Sequence, residues 1–437
     1  MPIFLTTLDA DFDPRFRAVL AMKREDAGDV AEGVSAIIAD VRARGDAALC
    51  ELTTRFDRLD LTPGQLRLTP DLIAAEVAKA GPEDRAALEL AADRIRAYHE
   101  RQMPRDEVWT DDAGATLGWR WTAVDAAGLY VPGGLASYPS SVLMNAIPAR
   151  VAGVRRLAIC VPTPDGAINP LVLLAAELAG VDEIYRIGGA QAIAALAYGT
   201  ETVAPVDKIT GPGNAWVAAA KRQVFGKVGI DMIAGPSEVL IIADGAQDPD
   251  WLALDLLAQA EHDEAAQSIL VTPDAALARA VADAVDRLIP TLPRAGIAGA
   301  SWRDFGTVIV TRDLAEAAAL SDRIAPEHLE ICTNDPESVA DRIRHAGAIF
   351  LGGLTPEAVG DYVSGPNHVL PTARSARFSS GLSVMDFLKR TTIARLSPAA
   401  LAAIGPAAAR LADAEGLSAH ALSVRARLSA LNERTQG

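Results

Sequence analysis

Apolar residues recur at helical spacing in the first part of the chain. Residues 33–56 and 83–103 carry apolar side chains three and four positions apart, which predicts two long amphipathic helices, the first interrupted at Gly45. Residues 119–134 then change to the pattern of a strand and end in Pro-Gly-Gly. Residues 1–24 are mixed and weakly periodic, so we expect an N-terminal arm there rather than part of a core.

From residue 155 onward, short apolar runs alternate with helical segments. In the first series the predicted strands are 155–162, 182–189 and 206–213, and the helices that follow them are 169–180, 190–199 and 214–226. In the second series the predicted strands are 237–244, 267–272, 305–310, 328–333 and 347–352, with the helix 250–263 between the first two. This alternation indicates βαβ units, so we expect an α/β fold with mostly parallel sheets. The alanine-rich stretch 396–432 predicts a helical tail, broken at Pro406 and Gly416.

The composition is that of a globular protein with more than one core. A chain of 437 residues is too long for a single ordinary core, and half of its residues are apolar while 22% are charged. The net charge of −16 repels phosphate backbones, which argues against nucleic acid as a partner. We find no basic region followed by an apolar run, and no apolar run of about 20 residues, so we expect neither a signal peptide nor a membrane span.

The cysteines favour a reducing compartment. Cys50, Cys160 and Cys332 are far apart, odd in number and in no C-x-x-C spacing, as expected of reduced thiols in a cytoplasmic protein. Cys332 lies close to a polar segment that contains Glu327 and His328, which raises the alternative of a catalytic thiol. Its flanking residues, LEICTN, have the pattern of a buried strand end, so we favour a packing role.

Four short polar segments interrupt this apolar chain. They are AQAEHD (258–263), APEHLE (325–330), GDYVSGPNHVLP (360–371) and EGLSAH (415–420). The chain has six histidines, and four of them lie in these segments: His262, His328, His368 and His420. Histidine suits both metal ligation and proton transfer near neutral pH. Nitrogen and oxygen ligands without thiolates fit a catalytic zinc with open positions better than a closed structural zinc, so the segments indicate an enzyme.

Each segment taken alone is also compatible with an ordinary surface. Gln259 and His262 are three residues apart at a predicted helix end and share one face, yet such a pair is usually only a polar surface. Glu327 and His328 could serve one pocket only if the backbone bends at the strand mouth, because neighbours on a strand face opposite sides. Asp361 lies in a predicted loop with two glycines and two prolines, which holds a shape rather than packing a core.

Glycine-rich turns follow two of the predicted strands. IGGAQA (187–192) and GPGNAW (211–216) each open a predicted helix, where backbone amides can hold a phosphate. The second departs from the dinucleotide pattern G-x-G-x-x-G because Trp216 stands at the last glycine. Ordinary tight turns are an equally good interpretation of both.

The polar segments and the motifs between them resemble the histidinol dehydrogenases. The matching stretches are RGDAAL (44–49), TTRFD (53–57), GLYVPGG (128–134), YPSSVLMNAIPA (138–149), RIGGAQAIAALAYGT (186–200), KITGPGN (208–214), GIDMIAGPSE (229–238), AQAEHD, PEHLE, GDYVSGPNHVLPT (360–372), SSGLSVMDFLKR (379–390) and EGLSAH. They run over nearly the whole chain in the order of the family.

This resemblance implies an activity and a set of site residues. The activity is oxidation of L-histidinol through L-histidinal to L-histidine, the last steps of histidine biosynthesis, with one Zn²⁺ per subunit and two NAD⁺ per product. The implied zinc ligands are Gln259, His262, Asp361 and His420. The implied catalytic acid/base pair is Glu327 and His328. The implied NAD contacts are Tyr130, Gln191 and Asn214, and the implied substrate contacts are Ser237, His328 and Glu415 together with the four metal ligands.

The resemblance also implies a homodimer with shared active sites and two aldehyde-dehydrogenase-like lobes, each an incomplete Rossmann-like fold. We expect an N-terminal arm at 1–24, a first lobe at 25–129 and 237–381 that carries the metal and catalytic residues, and a second lobe at 130–236 that binds NAD. The tail 382–437 would reach the active site of the partner subunit through EGLSAH.

Three alternatives stay open at this point. One is a related NAD-dependent dehydrogenase of another small alcohol, such as the sulfopropanediol enzymes. Another is a zinc hydrolase that uses Glu327 to activate water, although the glycine turns with Tyr130, Gln191 and Asn214 favour a cofactor. The least favoured is a non-catalytic interaction protein, which would not need this set of ligands.

Overall fold

The computed structural model describes residues 2–22, 30–132, 138–233 and 235–436. The strands are β1 (Ile3–Thr6), β2 (Glu107–Thr110), β3 (Ala115–Ala123), β4 (Ala126–Tyr130), β5 (Arg156–Cys160), β6 (Glu183–Tyr185), β7 (Lys208–Thr210), β8 (Gly229–Ile230), β9 (Glu238–Ala243), β10 (Gln267–Thr272), β11 (Thr307–Val310), β12 (His328–Cys332), β13 (Ala348–Leu351) and β14 (Leu388–Leu396).

The α-helices are α1 (Phe12–Ala21), α2 (Ala31–Arg44), α3 (Asp46–Asp57), α4 (Pro70–Val77), α5 (Pro82–Glu100), α6 (Pro139–Val151), α7 (Pro170–Leu178), α8 (Gly189–Tyr198), α9 (Ala215–Val224), α10 (Pro249–Ala260), α11 (Ala275–Leu288), α12 (Ala295–Phe305), α13 (Leu314–Ile324), α14 (Pro336–Ala340), α15 (Glu357–Tyr362), α16 (Pro398–Ala414) and α17 (Ser418–Gln436). The predicted strand–helix alternation is confirmed along both series. The Gly-Gly of the predicted Pro-Gly-Gly end and one alanine of GIDMIAGPSE lie outside the described residues.

Two compact units make up the chain. The large unit comprises Met1–Gln102 and Val124–Phe387, and the small unit comprises Met103–Ala123 and Leu388–Gly437. The large unit contains both parallel sheets, so the predicted α/β class with mostly parallel sheets is confirmed. Among the described residues, we find no helix that has both the length and the apolarity to cross a membrane.

The first sheet of the large unit has six strands in the order β1-β11-β10-β9-β12-β13, all parallel. Apolar cores cover its two faces. Every residue of β9, β10 and β12 is buried, which is why these strands read as near-continuous apolar runs in the sequence.

The N-terminal segment belongs to this sheet, contrary to the predicted arm. Strand β1 pairs with β11 along its whole length, and Leu5, Phe12, Phe16 and Val19 are buried in one core. The apolar residues of α1 do follow helical spacing, but the helix has only ten residues. A segment this short gives weak periodicity, and the long-range pairing that buries it leaves no local signal.

The second sheet of the large unit has five parallel strands in the order β6-β5-β4-β7-β8. Helices α2 and α3 pack on it, since Val34, Val41 and Leu49 share a core with Ile193 and Val217. This packing differs from the expected assignment of 25–129 to the first lobe. Periodicity identifies the elements correctly but carries no information about which sheet they cover.

In the small unit, an antiparallel sheet of order β14-β3-β2 accompanies the helices α16 and α17. The expected break at Pro406 is wrong, because Pro406 lies inside the continuous helix α16. Proline removes one backbone donor and crowds the preceding turn, which a helix can accommodate when it packs well. Gly405, just before it, packs against Val424 and Leu428 of α17. The predicted break at Gly416 is confirmed, where a φ of +75° ends the helix.

Candidate active site

Glu327 and His328 both face the first residue of β9. The Oε2 atom of Glu327 accepts the Glu238 N–H at 2.9 Å, and His328 Nδ1 lies 3.2 Å from the Glu238 carbonyl oxygen. The two side chains are only 5% (His328) and 6% (Glu327) exposed. The backbone bends just before them, because Ala325 adopts a left-handed conformation with φ +50° at the end of α13. This bend is the one that Glu327 and His328 need in order to face the same pocket.

His328 lies between two further carboxylates. Its Nδ1 is 3.3 Å from Glu357 Oε1, and its Nε2 is 3.4 Å from Asp361 Oδ1. One ligand atom from each of these three residues lies within 4.8 Å of the others, a spacing that could hold a metal ion. The structure thus brings three of the polar groups into one cluster at the amino ends of β9 and β12.

The helix α15 supplies both carboxylates of this cluster, and the sequence interpretation missed it. Asp361 was expected in a loop, which is wrong because Glu357–Tyr362 is helical. Glu357 was not identified at all. The signal was present, since Glu357 follows Pro356 and precedes Asp361 by four residues, so the two carboxylates share one face of a helix.

The electrostatics of the cluster are dominated by its carboxylates. Burial alone would lower the pKa of His328, but Glu357, Glu327 and Asp361 outweigh that effect and hold the pKa well above its ordinary value. Burial raises the pKa of Glu357 to about 8. Burial would also raise the pKa of Asp361, yet its hydrogen bond to His328 and the nearby histidines lower it. This much negative charge around one imidazole favours a cation.

Gln259 points to a ligand that would complete the cluster. It lies in the last turn of α10, is 1% exposed, and neither its amide oxygen nor its amide nitrogen has a hydrogen-bond partner among the described residues. Each buried polar group left without a partner costs about 1–3 kcal/mol, so such an amide marks a place for a metal or substrate. Helix α10 contacts α15, which carries Glu357 and Asp361.

His262 follows the end of α10 and its side chain reaches solvent. Desolvation by the surrounding protein lowers its pKa, and the charges of Asp361 and His328 act on it, so it lies beside the cluster. Helix α10 ends at Ala260, so His262 lies beyond the helical turn that the spacing predicted for the pair with Gln259. A neutral imidazole is the form that ligates a metal, and the lowered pKa favours that form.

A second layer of carboxyl groups lies behind the cluster. Glu330 is fully buried, and its Oε1 accepts the Glu357 N–H at 2.6 Å. Burial and the charge of Asp255 raise the pKa of Glu330 well above the usual range, while burial raises that of Asp255 to about 6. These groups hold the first turn of α15 in place.

His368 contacts the backbone of the cluster, and Cys332 lacks the properties of the catalytic thiol considered above. His368 Nδ1 lies 3.0 Å from the Asp361 carbonyl oxygen and its Nε2 lies 3.3 Å from Ser141 Oγ, so it braces the backbone of Asp361. Cys332 is 3% exposed, and burial raises the pKa of its thiol, which disfavours the thiolate a nucleophile needs. Ser237 directly precedes β9, and its carbonyl oxygen accepts the Gln267 N–H at 3.0 Å.

The three residues expected to contact NAD lie at the carboxyl edge of the five-stranded sheet. Tyr130 ends β4, and its Oη accepts the Gly189 N–H at 3.1 Å. Gln191 is buried in the first turn of α8. Asn214 caps α9, and its Oδ1 accepts the Trp216 N–H at 3.1 Å. Ligands of open α/β sheets bind at this edge.

A cavity of about 610 Å³ opens at the same edge, beyond β5 and β6. Pro132, Pro162, Thr163, Tyr185 and Arg186 are among its lining residues. A volume of this size is in the range of small-molecule and cofactor pockets.

Glu415 and His420 belong to the small unit. Glu415 caps the end of α16, His420 lies in the first turn of α17, and both are exposed. The other predicted site residues all lie in the large unit.

The comparisons with known proteins agree with one another. The family model described as histidinol dehydrogenase matches residues 20–428. A histidinol dehydrogenase from Cereibacter sphaeroides is 74% identical over 433 residues, covering 99% of this chain and 100% of the relative. One from Rhodospirillum rubrum is 65% identical, with 98% of this chain and 99% of the relative covered. The crystal structure of the Elizabethkingia anophelis histidinol dehydrogenase superposes with a TM-score of 0.94 at 36% identity and covers 99% of both chains.

The parallel α/β fold encloses a buried cluster of an imidazole and carboxylates, and the relatives define the class of this protein as the oxidoreductases. The chain belongs to the histidinol dehydrogenase family.

Proposed function

We propose that this enzyme carries out the zinc- and NAD-dependent, four-electron oxidation of L-histidinol to L-histidine through L-histidinal, the last steps of histidine biosynthesis. The observation that carries the proposal is the buried cluster of His328, Glu357 and Asp361 beside Glu327, together with the amide of Gln259, which has no hydrogen-bond partner in the described part of the chain. Membership in the family supports the substrate.

The residues of the site fit a zinc ion. Gln259, His262 and Asp361 in the large unit offer an amide oxygen, an imidazole nitrogen and a carboxylate oxygen, and His420 would be the fourth ligand. Asp361 is common to this set and to the compact cluster with His328 and Glu357. When bound, zinc would orient the substrate through its imidazole and amino nitrogens. A cation beside Asp361 would also oppose the carboxylates that raise the pKa of His328.

His328 is proposed as the base. In each oxidation the imidazole would take the hydroxyl proton as the adjacent carbon gives up its hydride. The Glu238 carbonyl holds Nδ1 at 3.2 Å, which leaves Nε2 on the side of Asp361 to take the proton. The base is thereby held in one orientation before substrate arrives.

Glu327 is proposed to activate water between the two oxidations. The aldehyde must be hydrated before a second hydride can leave, and a carboxylate can remove a proton from the attacking water. The Glu238 N–H anchors Oε2 of Glu327 at 2.9 Å. A carboxylate as buried as Glu327 suits this task, because hydration of the aldehyde would then take place inside the site rather than in bulk solvent.

NAD⁺ is proposed to bind at the carboxyl edge of the five-stranded sheet. Tyr130, Gln191 and Asn214 would contact it, and the 610 Å³ cavity beyond β5 and β6 could take part of a dinucleotide. Bound there, NAD⁺ would supply the hydride acceptor.

We also propose a homodimer in the cytoplasm. In the small unit, Val108 is 62% exposed, Leu411 65% and Leu422 63%, and large exposed apolar side chains of this kind are typical of a contact surface. Such a contact could bring EGLSAH with Glu415 and His420 to the partner's active site. The free cysteines fit a reducing compartment.

The test is NADH production by the purified protein, with L-histidinol, L-histidinal and other amino alcohols compared side by side. We expect two NADH per L-histidinol and much weaker turnover of the other alcohols. Preference for a sulfonated or other small alcohol would instead indicate the related dehydrogenase. Zinc-dependent hydrolysis without NADH would indicate a hydrolase, although no observation in the structure favours it.

A further inference from the structure

A buried ion pair lies directly beneath the loop 211–214. Lys221 of α9 pairs with Asp231, which follows β8, and their side chains are 3% and 1% exposed. Desolvating two opposite charges is costly, and a buried pair of this kind often adds no net stability over apolar residues of similar size. Its presence therefore calls for a role other than stability.

Both members of the pair also bind the backbone of Gly211. The Lys221 ammonium donates to the Gly211 carbonyl oxygen at 3.0 Å, and Asp231 Oδ2 accepts the Gly211 N–H at 2.8 Å. Gly211 has a φ of +111°, a conformation that only glycine adopts readily. The ion pair thus fixes both polar groups of the residue at which the chain leaves β7.

This fixed residue packs against Tyr130, one of the residues expected to bind NAD. A Cβ atom at Gly211 would overlap the Tyr130 carbonyl oxygen, so the loop packs directly on the end of β4. Three residues later, Asn214 caps α9 through Oδ1. Tyr130 in turn accepts the Gly189 N–H at the start of α8. Gly211 therefore links the end of β7 to the end of β4, and Tyr130 links the end of β4 to the start of α8.

We infer that Lys221 and Asp231 are a positioning pair that preorganises the loop 211–214, and with it Tyr130 and Asn214, for the dinucleotide. The inference rests on the proposed NAD site and deepens it. A loop held in its binding conformation before the ligand arrives loses less conformational freedom on binding, so the pair should act on NAD affinity rather than on the chemical steps.

The test uses two double variants of the full-length enzyme. Removing one partner would strand a buried charge, so both are changed together. Lys221→Met with Asp231→Leu removes both contacts to Gly211. Lys221→Met with Asp231→Asn keeps an acceptor for the Gly211 N–H. Lys208→Met is the control, since Lys208 lies on β7 but pairs at 3.7 Å with Asp386, whose carboxylate is partly exposed and keeps its hydrogen bonds from Ser383.

We expect the Leu-containing variant to weaken NADH binding, followed by NADH fluorescence, and to raise the KM for NAD⁺ by about tenfold or more, the worth of one charge-assisted hydrogen bond. kcat at saturating NAD⁺ and the KM for L-histidinol should stay within about twofold. The Asn-containing variant should recover part of the affinity, and Lys208→Met should bind as the wild type does.

Wild-type NADH affinity in a folded Leu-containing variant would overturn the inference. Failure of both double variants to fold would also overturn it, because the pair would then serve the fold rather than the loop. A parallel rise in the KM for L-histidinol would point to a general distortion and count against it as well. A wild-type protein that binds NADH but does not oxidise L-histidinol would refute the proposed function and leave the inference about Lys221 and Asp231 standing.

Discussion

Replacing Gln259 by leucine should change the stability of the protein in opposite directions without and with zinc. The side chain is 1% exposed and both atoms of its amide are without a partner among the described residues. Leucine has a similar volume and no polar atoms to desolvate. In chelator-treated protein the variant should therefore be more stable than the wild type, by about 1–3 kcal/mol in free energy of unfolding.

With zinc in excess the order should reverse. A ligand that binds only the folded state adds RT ln(1 + [L]/Kd) to its stability, so a hundredfold loss of affinity removes about 2.7 kcal/mol of the gain from zinc. Loss of one ligand of the site should cost at least that much affinity. The assay is urea unfolding of wild type and variant, each with a chelator and with excess zinc.

Thr53→Val is the matched control for Gln259→Leu. Thr53 is fully buried beside the five-stranded sheet, and its hydroxyl has no partner among the described residues. This change should stabilise the protein slightly in both conditions and leave the gain from zinc unaltered. A Gln259→Leu variant that is less stable than the wild type without metal would refute the argument from the unpartnered amide. An unchanged gain from zinc would remove Gln259 from the ligand set.

Four further predictions concern residues of the proposed active site. His328→Gln should lower kcat by roughly 10²–10⁴-fold with little change in substrate affinity, and near-normal turnover would remove it from the role of base. Glu327→Gln should slow oxidation of supplied L-histidinal more than oxidation of L-histidinol to the aldehyde, and a normal rate with L-histidinal would contradict water activation. Mixing the inactive His262→Ala and His420→Ala variants under dissociating conditions should restore activity to about half of the sites in each heterodimer. One site of such a heterodimer carries both substitutions and the other carries neither. A mixture that stays inactive although heterodimers form would refute the model of shared active sites. In chelator-treated protein, the raised pKa of Glu357 (about 8, against 4.5 ordinarily) means that its contribution to stability is complete below pH 4.5 and is lost as the pH rises through about 8. Glu357→Gln should therefore flatten the fall in free energy of unfolding over that interval, and an unchanged slope in urea titrations would contradict the assignment.

The sequence predicted most elements because their burial leaves a periodic signal. The fully buried strands β9, β10 and β12 appear as apolar runs, and Gly45 and Gly416 end helices where positive φ is required. The packing partners of these elements were not predictable, since periodicity is local. The N-terminal strand and the helices α2 and α3 were misplaced for that reason.

The site shows the same division between local and long-range information. Gln259 with His262, and Glu327 with His328, could be proposed from the sequence because each pair lies within one short polar segment. Glu357 carries only the weaker signal of its helical spacing to Asp361, because what distinguishes it from other carboxylates is burial against His328, a contact made through the tertiary fold. A carboxylate in an ordinary surface segment looks the same in the sequence as one enclosed in a core.

The peptide groups of Glu238 have a consequence for how this site could change. Its N–H and its carbonyl hold Glu327 and His328 respectively, so one backbone residue sets the distance between the two groups proposed to act as acid and base. The anchor does not depend on which side chain stands at that position, and side-chain substitution there cannot retune the two groups separately. The spacing between Glu327 and His328 is therefore set by the backbone geometry of β9. A new chemistry in this fold would have to come from moving the substrate or from altering α15, while the acid/base pair keeps its spacing.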